Sequence, residues 1–192
     1  MTFGNLKTGI LFITFLMIGF QGVSALEKAT FAGGCFWCMQ PPYDDIKGVL
    51  STTVGYTGGH VPSPSYEEVC SGSTGHLEAV EIVFDPKLVS YRDLLQVFWK
   101  NIDPTDANGQ FADQGSQYHT AIFYHSENQR REAEASKNQL VHSKKFKNPV
   151  VTEIRKAQPF YPAEESHQAF YKSHPLRYKS YKTGSGRQAF ID

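Results

Sequence analysis

Two cysteines lie three positions apart in the segment Gly33–Cys38, whose sequence is GGCFWC. A glycine pair precedes the first cysteine, and two large aromatic residues separate it from the second. A thiol at the start of a helix lies at the positive end of the helix dipole, which lowers its pKa and makes it a nucleophile. A second thiol about one turn later can trap the product formed on the first. The spacing therefore predicts redox chemistry, with a lowered pKa at Cys35.

Four interpretations of this cysteine pair compete. Two inert buried thiols are disfavoured by the adjacent glycines and the helix start. A zinc site would use both thiols with Cys70 and His76, but structural zinc sites normally have a second closely spaced pair of ligands. A thioredoxin-like disulfide exchanger has C-x-x-C at a helix start, although Phe36 and Trp37 form an apolar wall better suited to a methyl-bearing substrate. In a sulfoxide-reducing or peroxidase-type enzyme, the first thiol becomes a sulfenic acid and the second resolves it.

The composition of the chain narrows its compartment and its partners. The 192 residues carry a formal net charge of +0 without a block of Lys or Arg, so we expect no nucleic-acid binding. Lys7 precedes an apolar stretch over Thr8–Val23, and small residues follow at Ser24 and Ala25. This pattern predicts a secretory signal peptide over residues 1–25 and one domain over 26–192, with an uncleaved anchor as the alternative. We expect an exported protein, periplasmic or secreted, whose mature chain is not membrane-bound.

The elements that must position the cysteines alternate between strands and helices, which predicts one α/β or α+β domain. Strands are predicted over Lys28–Gly34, Val49–Tyr56, Glu78–Phe84, Thr120–Tyr124 and Val150–Arg155. Helices are predicted to begin near Cys35, at Ser90 and at Ser126, with a short helix over Glu164–Tyr171 and an irregular tail over Tyr178–Asp192. Pro41 and Pro42 should keep the first helix short. The long loops Thr57–His76 and Asp103–His119 are predicted to be functional.

Five motifs in fixed order identify a family resemblance. They are Gly33–Cys38, Gly55-Tyr56-Thr57-Gly58-Gly59, Pro64-Ser65-Tyr66-Glu67-Glu68-Val69-Cys70, Thr74-Gly75-His76-Leu77-Glu78 and Gly115-Ser116-Gln117-Tyr118. In these motifs the chain resembles the peptide-methionine (S)-S-oxide reductases, the A-type methionine sulfoxide reductases. The resemblance extends from about Ala29 to Phe190.

The resemblance implies a fold, an activity and a partner. The fold would be α+β, a two-layer ferredoxin-like sandwich with helices packed on a mixed sheet. The activity would be thiol-dependent reduction of the S epimer of methionine sulfoxide, free or in proteins, as a repair of oxidative damage. It implies no bound metal or organic cofactor, and an external dithiol reductant, thioredoxin or a thioredoxin-like protein.

The resemblance also implies a role for each candidate site residue. Cys35 would be the nucleophile, Glu78 the catalytic acid, Tyr66 and Tyr118 the hydroxyls that hold the sulfoxide oxygen, Phe36 and Trp37 the methyl pocket, and Asp113 the group that orients substrate or water. A carboxyl can act as an acid near neutral pH only in a partly desolvated site, so we expect Glu78 to be protonated there.

The resemblance leaves two candidates for the resolving thiol. Many relatives have glycine in place of Cys38 and use cysteines near the C-terminus, but this chain has no cysteine after Cys70. Cys38 is therefore the predicted resolver. Cys70 is the alternative, and we expect it to be a buried, non-catalytic thiol. If the protein is exported, its reductant is a periplasmic or membrane-delivered dithiol.

Overall fold

The computed structural model describes Met1 and residues 25–192. Positions 2–24 of the predicted signal peptide lie outside the described residues. The strands are β1 (Glu27–Gly33), β2 (Val49–Thr57), β3 (Leu77–Phe84), β4 (Gly109–Gln110), β5 (Asp113–Gln114), β6 (Thr120–Tyr124), β7 (Glu153–Lys156) and β8 (Tyr161–Pro162). The helices are α1 (Phe36–Met39), α2 (Pro41–Asp44), α3 (Tyr66–Cys70), α4 (Tyr91–Lys100), α5 (Glu127–His142), α6 (Phe170–Ser173), α7 (Pro175–Gly184) and α8 (Arg187–Ile191).

The main sheet has six strands in the order β7-β6-β1-β3-β2-β8. Its four central strands, β6-β1-β3-β2, pair antiparallel, and β7 adds to β6 in parallel through the crossover helix α5. Strand β1, helix α1, strands β2 and β3, helix α4 and strand β6 follow one another as in a β-α-β-β-α-β unit. This arrangement confirms the predicted α+β, ferredoxin-like fold.

Local sequence signals account for the helices α4 and α5. Ser90 caps α4 and forms a capping box with Asp93, while Ser126 caps α5 by accepting a hydrogen bond from the Gln129 N–H. Such caps satisfy backbone donors that would otherwise lack a partner at the helix start. The apolar face of α4 is buried through Leu94, Leu95 and Phe98, and Ile102, just after the helix, is buried as well.

The core on the α4 side of the sheet is built around Phe31 of β1. Its ring stacks on Tyr43, Tyr91 and Phe98, with centroid separations of 5.8, 5.9 and 5.2 Å. Because residues alternate between the two faces of a strand, the next residue, Ala32, belongs to the core on the opposite face. The strand β1 is therefore buried on both faces and holds the start of the cysteine segment rigidly.

The C-terminal tail differs from its prediction. The irregular tail predicted over Tyr178–Asp192 is wrong, because α7 and α8 occupy most of that segment. Gly186, with φ of +86°, separates the two helices rather than ending regular structure. The buried side chain of Arg187 anchors the tail to the domain, which local propensity does not reveal.

One strand prediction changed in detail, and both long loops contain regular structure. The strand predicted over Val150–Arg155 is β7, which covers Glu153–Lys156, and the Val151 N–H before it donates to the Pro104 carbonyl. Both long loops are ordered, one by α3 and the other by the β4–β5 pair. Among the described residues, no helix is long and apolar enough to cross a membrane.

Phe31→Ala should reduce the free energy of unfolding by about 3–5 kcal/mol, because it removes the ring at the centre of the aromatic stack. Leu50→Ala is the matched control, since Leu50 is 56% exposed, and it should cost less than about 0.5 kcal/mol. Urea denaturation of both variants measures the difference. Equal losses would show that the Phe31 stack does not dominate this core.

Candidate active site

The antiparallel pairing of β1 with β3 brings the first cysteine to the predicted acid. The register pairs Phe31 with Val80. Because the strands run antiparallel, Gly33, two residues after Phe31, lies opposite Glu78, two residues before Val80. The Phe36 N–H, at the start of α1, donates to Glu78 Oε2 at 3.0 Å. Residues that are 42 positions apart in the chain therefore lie in one site.

The cysteine segment turns sharply after β1. Gly34 has φ of +79°, and a Cβ there would lie 2.7 Å from a guanidinium nitrogen of Arg187 and 2.5 Å from Gln110 Cβ. Glycine is needed at this position both for the backbone conformation and for the close approach. Cys35 then occupies the N-cap of α1, which has only four residues before α2 starts with Pro41. The short first helix predicted from the proline pair is confirmed.

The two active-site thiols are both buried, and their acidities differ from the prediction. Cys35 is 7% exposed and Cys38 is 0% exposed. Burial, a hydrogen bond with Cys38 and the nearby Glu78 raise the pKa of Cys35 well above its usual value. The predicted lowering at Cys35 is therefore wrong, because desolvation outweighs the dipole of a four-residue helix. The lowered pKa belongs to Cys38, which accepts the hydrogen bond from Cys35 and lies near Arg187.

Glu78 has the properties that the sequence analysis required of an acid. Its side chain is 1% exposed at the start of β3. Burial raises the pKa of Glu78 to about 8, although the hydrogen bond from the Phe36 N–H acts in the opposite direction. The carboxyl group is therefore protonated at neutral pH and can donate its proton inside the pocket.

An aromatic cluster lines the site beside Cys35. Trp37 stacks on Phe170 with a centroid separation of 3.8 Å, and its indole N–H donates to His167 Nδ1 at 3.1 Å. The His167 ring also lies 5.3 Å from Phe36 and 4.4 Å from Tyr66, measured between centroids. Burial lowers the pKa of His167, so its ring is neutral and can accept from the indole. These contacts form a rigid apolar wall that could receive a methyl group.

The two predicted tyrosines reach the site from different loops. Tyr66 begins α3, and its backbone N–H is held by Glu164 at 2.9 Å. Tyr118 ends the 3₁₀ turn Ser116–Tyr118. Burial raises the pKa of both phenols, and the nearby Glu78 carboxyl raises it further. Both therefore remain neutral hydroxyl donors at any physiological pH.

Asp113 and Tyr181 form another side of the site, where the Tyr181 ring packs edge-on against Trp37 with the centroids 5.9 Å apart. The Tyr181 hydroxyl donates to Asp113 Oδ2 at 2.5 Å and also lies within hydrogen-bond reach of the Cys35 sulfur. Burial raises the pKa of Asp113. Asp113 thus fixes the hydroxyl of a tail residue against the nucleophile.

Cys70 and His76 do not join the cysteine pair in a metal site. Cys70 is partly exposed, which makes the predicted buried thiol wrong, and it accepts a hydrogen bond from Tyr66. His76 accepts from the Gly59 N–H through Nδ1 and donates through Nε2 to the Val61 carbonyl. Its two ring nitrogens therefore stabilise the loop that leads into β3.

The predicted residues thus converge, and the structure adds His167 and Tyr181 to the site, while Arg187 lies buried beneath the cysteine segment. Sequence analysis assigns no role to these residues, because each lies in a segment that it describes as a short helix or an irregular tail. One local signal could have predicted α7, since Pro175 lies at its start, Gly184 is its last residue and Gly186 follows two positions later. That proline-first, glycine-last pattern is typical of a helix.

Comparison with known proteins gives a consistent match over the described domain. A family model described as peptide methionine sulfoxide reductase matches residues 27–192. The peptide methionine sulfoxide reductase MsrA of Bacillus subtilis (strain 168) is 59% identical over 165 residues, which is 86% of this chain and 93% of that protein.

Solved structures resemble the same part of the chain. Mxr1 from Saccharomyces cerevisiae in reduced form has a TM-score of 0.74 and 31% identity, covering 79% of this chain and 87% of that one. The structure of Mxr1 in complex with Trx2 has a TM-score of 0.54 and 22% identity, covering 76% of this chain and 84% of that one. At that identity the second likeness concerns the fold alone.

The buried Glu78 proton should make stability depend on pH. The folded state keeps this proton up to a pKa of about 8, whereas the unfolded chain loses it near the ordinary value of 4.5. The folded state therefore binds more protons between these values, and the free energy of unfolding falls as pH rises through them. Relative to Glu78→Gln, the wild type should lose up to about 1.4 kcal/mol per pH unit in this window.

Urea denaturation of both proteins at a series of pH values measures this difference. Glu165→Gln, at an exposed carboxyl, controls for the loss of one negative charge. A difference between wild type and Glu78→Gln that does not change with pH would show that Glu78 is ionised in the folded protein.

Proposed function

The chain belongs to the peptide methionine sulfoxide reductase family, and we propose that it reduces the S epimer of methionine sulfoxide, free or in proteins. The observation that carries this function is the pairing of a buried, protonated Glu78 with the thiol of Cys35 in one pocket. A sulfoxide combines an oxygen that needs a proton with a sulfur that a thiol can attack. The site provides both groups, and the aromatic cluster excludes water from them.

In the first step, the Cys35 sulfur attacks the sulfur of the sulfoxide. Glu78 donates a proton to the sulfoxide oxygen, and the hydroxyls of Tyr66 and Tyr118 stabilise that oxygen as charge develops on it. The substrate is reduced by two electrons to methionine. The bond between the two sulfurs then breaks as the OH group moves from the substrate sulfur to the Cys35 sulfur, and the proton lost by the Cys35 thiol restores the Glu78 carboxyl. Cys35 is thereby oxidised from a thiol to a sulfenic acid.

In the second step, the thiolate of Cys38 attacks the Cys35 sulfenic acid. A disulfide forms, and the hydroxide that leaves takes up a proton to become water. In a regular helix, residues three apart have Cβ atoms about 5–6 Å apart, whereas a disulfide needs about 3.5–4.5 Å. The helix α1 must therefore deform, and its four-residue length followed by Pro41 makes that deformation easy.

An external dithiol then reduces the Cys35–Cys38 disulfide by thiol–disulfide exchange. The reductant we propose is thioredoxin or a thioredoxin-like protein, which the complex of the yeast protein Mxr1 with Trx2 supports. Export of the protein stays a prediction from residues 1–25. Cleavage after Ala25 would leave a chain that starts at Leu26, and the mass of the protein from its own cells tests this.

Incubation of residues 26–192 with racemic methionine sulfoxide and dithiothreitol tests the activity. The S epimer should be consumed while the R epimer remains, because the methyl pocket and the proton donor lie on fixed sides of Cys35. Separation of the epimers on a chiral column follows each one, and Cys35→Ser should abolish the reaction. Consumption of neither epimer would refute the proposed function, and consumption of R alone would overturn the stereochemical assignment.

Cys38→Ser should still form about one methionine per protein but should lose turnover with thioredoxin, because the Cys35 sulfenic acid then has no local resolving thiol. Cys70→Ser is the matched control and should retain both properties. Methionine formed with and without a thioredoxin system measures the two steps separately. Full thioredoxin-dependent turnover of Cys38→Ser would transfer the resolving role to Cys70.

A further inference from the structure

Arg187 in α8 is one of the largest fully buried side chains, with 1% exposure. Its guanidinium donates to the Asn101 carbonyl at 2.6 Å and to the Gly33 carbonyl at 2.9 Å. It also contacts Met39 Sδ at 3.6 Å and lies 4.7 Å above the centroid of the Phe111 ring. The side chain of a residue near the C-terminus thus enters the domain beneath the cysteine segment.

The charge of this guanidinium is not paired. Among the ion pairs formed by residues 25–192, none includes Arg187, and its hydrogen-bond acceptors are neutral carbonyls and a thioether. Asp113 is near enough for Arg187 to lower its pKa, but no carboxylate in the described part of the chain contacts the guanidinium directly. A buried charge without such a partner is unfavourable, and a nearby group that becomes an anion relieves this cost. A thiolate formed near the guanidinium would be such an anion.

The contacts of Arg187 bracket the two cysteines. Gly33 and Gly34 come just before Cys35, and Met39 comes just after Cys38. The guanidinium touches both ends of this segment. Since Cys38 is fully buried, water can contribute little to the stability of its thiolate.

The charged and titratable groups around Cys38 come from several elements. They are Cys35 at the start of α1, Glu78 on β3, Asp113 on β5, Tyr178 and Lys182 on α7, and Arg187 on α8. The hydrogen bond from Cys35 lowers the pKa of Cys38 most, and Arg187 and then Lys182 lower it further, against burial and Asp113.

We propose that Arg187 is a positioning residue of the resolving step, whose buried, unpaired guanidinium stabilises the Cys38 thiolate that attacks the Cys35 sulfenic acid. The inference rests on the proposed function. In this step the Cys38 thiol loses a proton, the S–S bond forms as the S–O bond of the sulfenic acid breaks, and the departing hydroxide takes up a proton. Thiol and sulfenic acid thus become disulfide and water, with no further reactant.

The sign of the expected pH effect follows from this charge. Resolution needs the thiolate, so its rate rises with pH up to the pKa of Cys38 and then levels off. Loss of a nearby positive charge raises that pKa and moves the rate profile to higher pH. Below the midpoint, each pH unit of displacement slows resolution about tenfold at a given pH. The reductase step at Cys35 should keep its rate.

The test uses reduced residues 26–192 mixed rapidly with methionine sulfoxide at a series of pH values. Samples quenched over time give the methionine formed and the Cys35 sulfenic acid remaining, the latter by reaction with dimedone and mass spectrometry. We compare Arg187→Gln, which removes the charge, with Arg187→Lys, which keeps it. Arg131→Gln removes an exposed charge from α5 and serves as the control.

In Arg187→Gln we expect unchanged methionine formation, and a sulfenic acid that persists about tenfold or more longer at neutral pH with its decay profile moved to higher pH. Arg187→Lys and Arg131→Gln should keep the wild-type midpoint. In a Cys38→Ser background, Arg187→Gln should not change the sulfenic acid lifetime, because the thiol on which Arg187 acts is absent.

An unchanged pH midpoint in Arg187→Gln would overturn the inference. If that variant does not fold, Arg187→Lys still tests the inference. A midpoint moved to higher pH in Arg187→Lys, in spite of the retained charge, would assign the effect to the hydrogen bonds that the guanidinium makes to the Asn101 and Gly33 carbonyls. Absence of methionine formation in the wild type would instead refute the proposed function and is recorded separately in the same samples.

Discussion

The Phe36 N–H donates to Glu78 in a pocket at the end of β1 from which water is excluded. The protonation states of the main site residues depend on this exclusion. In water Glu78 would be ionised and Cys35 would titrate freely. In the pocket, desolvation keeps the carboxyl protonated and raises the pKa of the thiol. The two groups therefore start neutral, and the charge that catalysis needs develops only when a substrate with a polar oxygen is present.

This chemistry has a cost in stability that the fold must offset. Glu78 and Arg187 are both almost completely buried ionisable groups. The Phe31 aromatic stack and the sheet strands buried on both faces provide the apolar burial that can compensate for them. Removing either functional group should therefore leave the fold intact or stabilise it, provided that the replacement keeps the hydrogen bonds that the group makes.

Patterns within a single element were sufficient to predict β6, the helices α4 and α5 that Ser90 and Ser126 cap, and the short helix before Pro41. The motifs of the family located Cys35 and Glu78, which we propose as the nucleophile and the acid. The acidity of Cys35 was not predictable in this way, because a local dipole and long-range burial act in opposite directions and only the three-dimensional structure shows which is larger. Arg187 was equally inaccessible, since its acceptors Gly33 and Asn101 are 154 and 86 positions away.

The anchoring of the C-terminal tail, which comprises α7 and α8, can be explained by the position of the second thiol. In relatives that resolve the sulfenic acid with cysteines near the C-terminus, the tail has to bring a thiol to the nucleophile. Here the tail has no cysteine and is held by Arg187 in the core and by Tyr181 against Asp113. A tail with these anchors cannot deliver a thiol without exposing a buried charge. Local resolution by Cys38, as proposed above, would remove that requirement. The tail could then serve instead as the fixed support that holds the positive charge of Arg187 near Cys38.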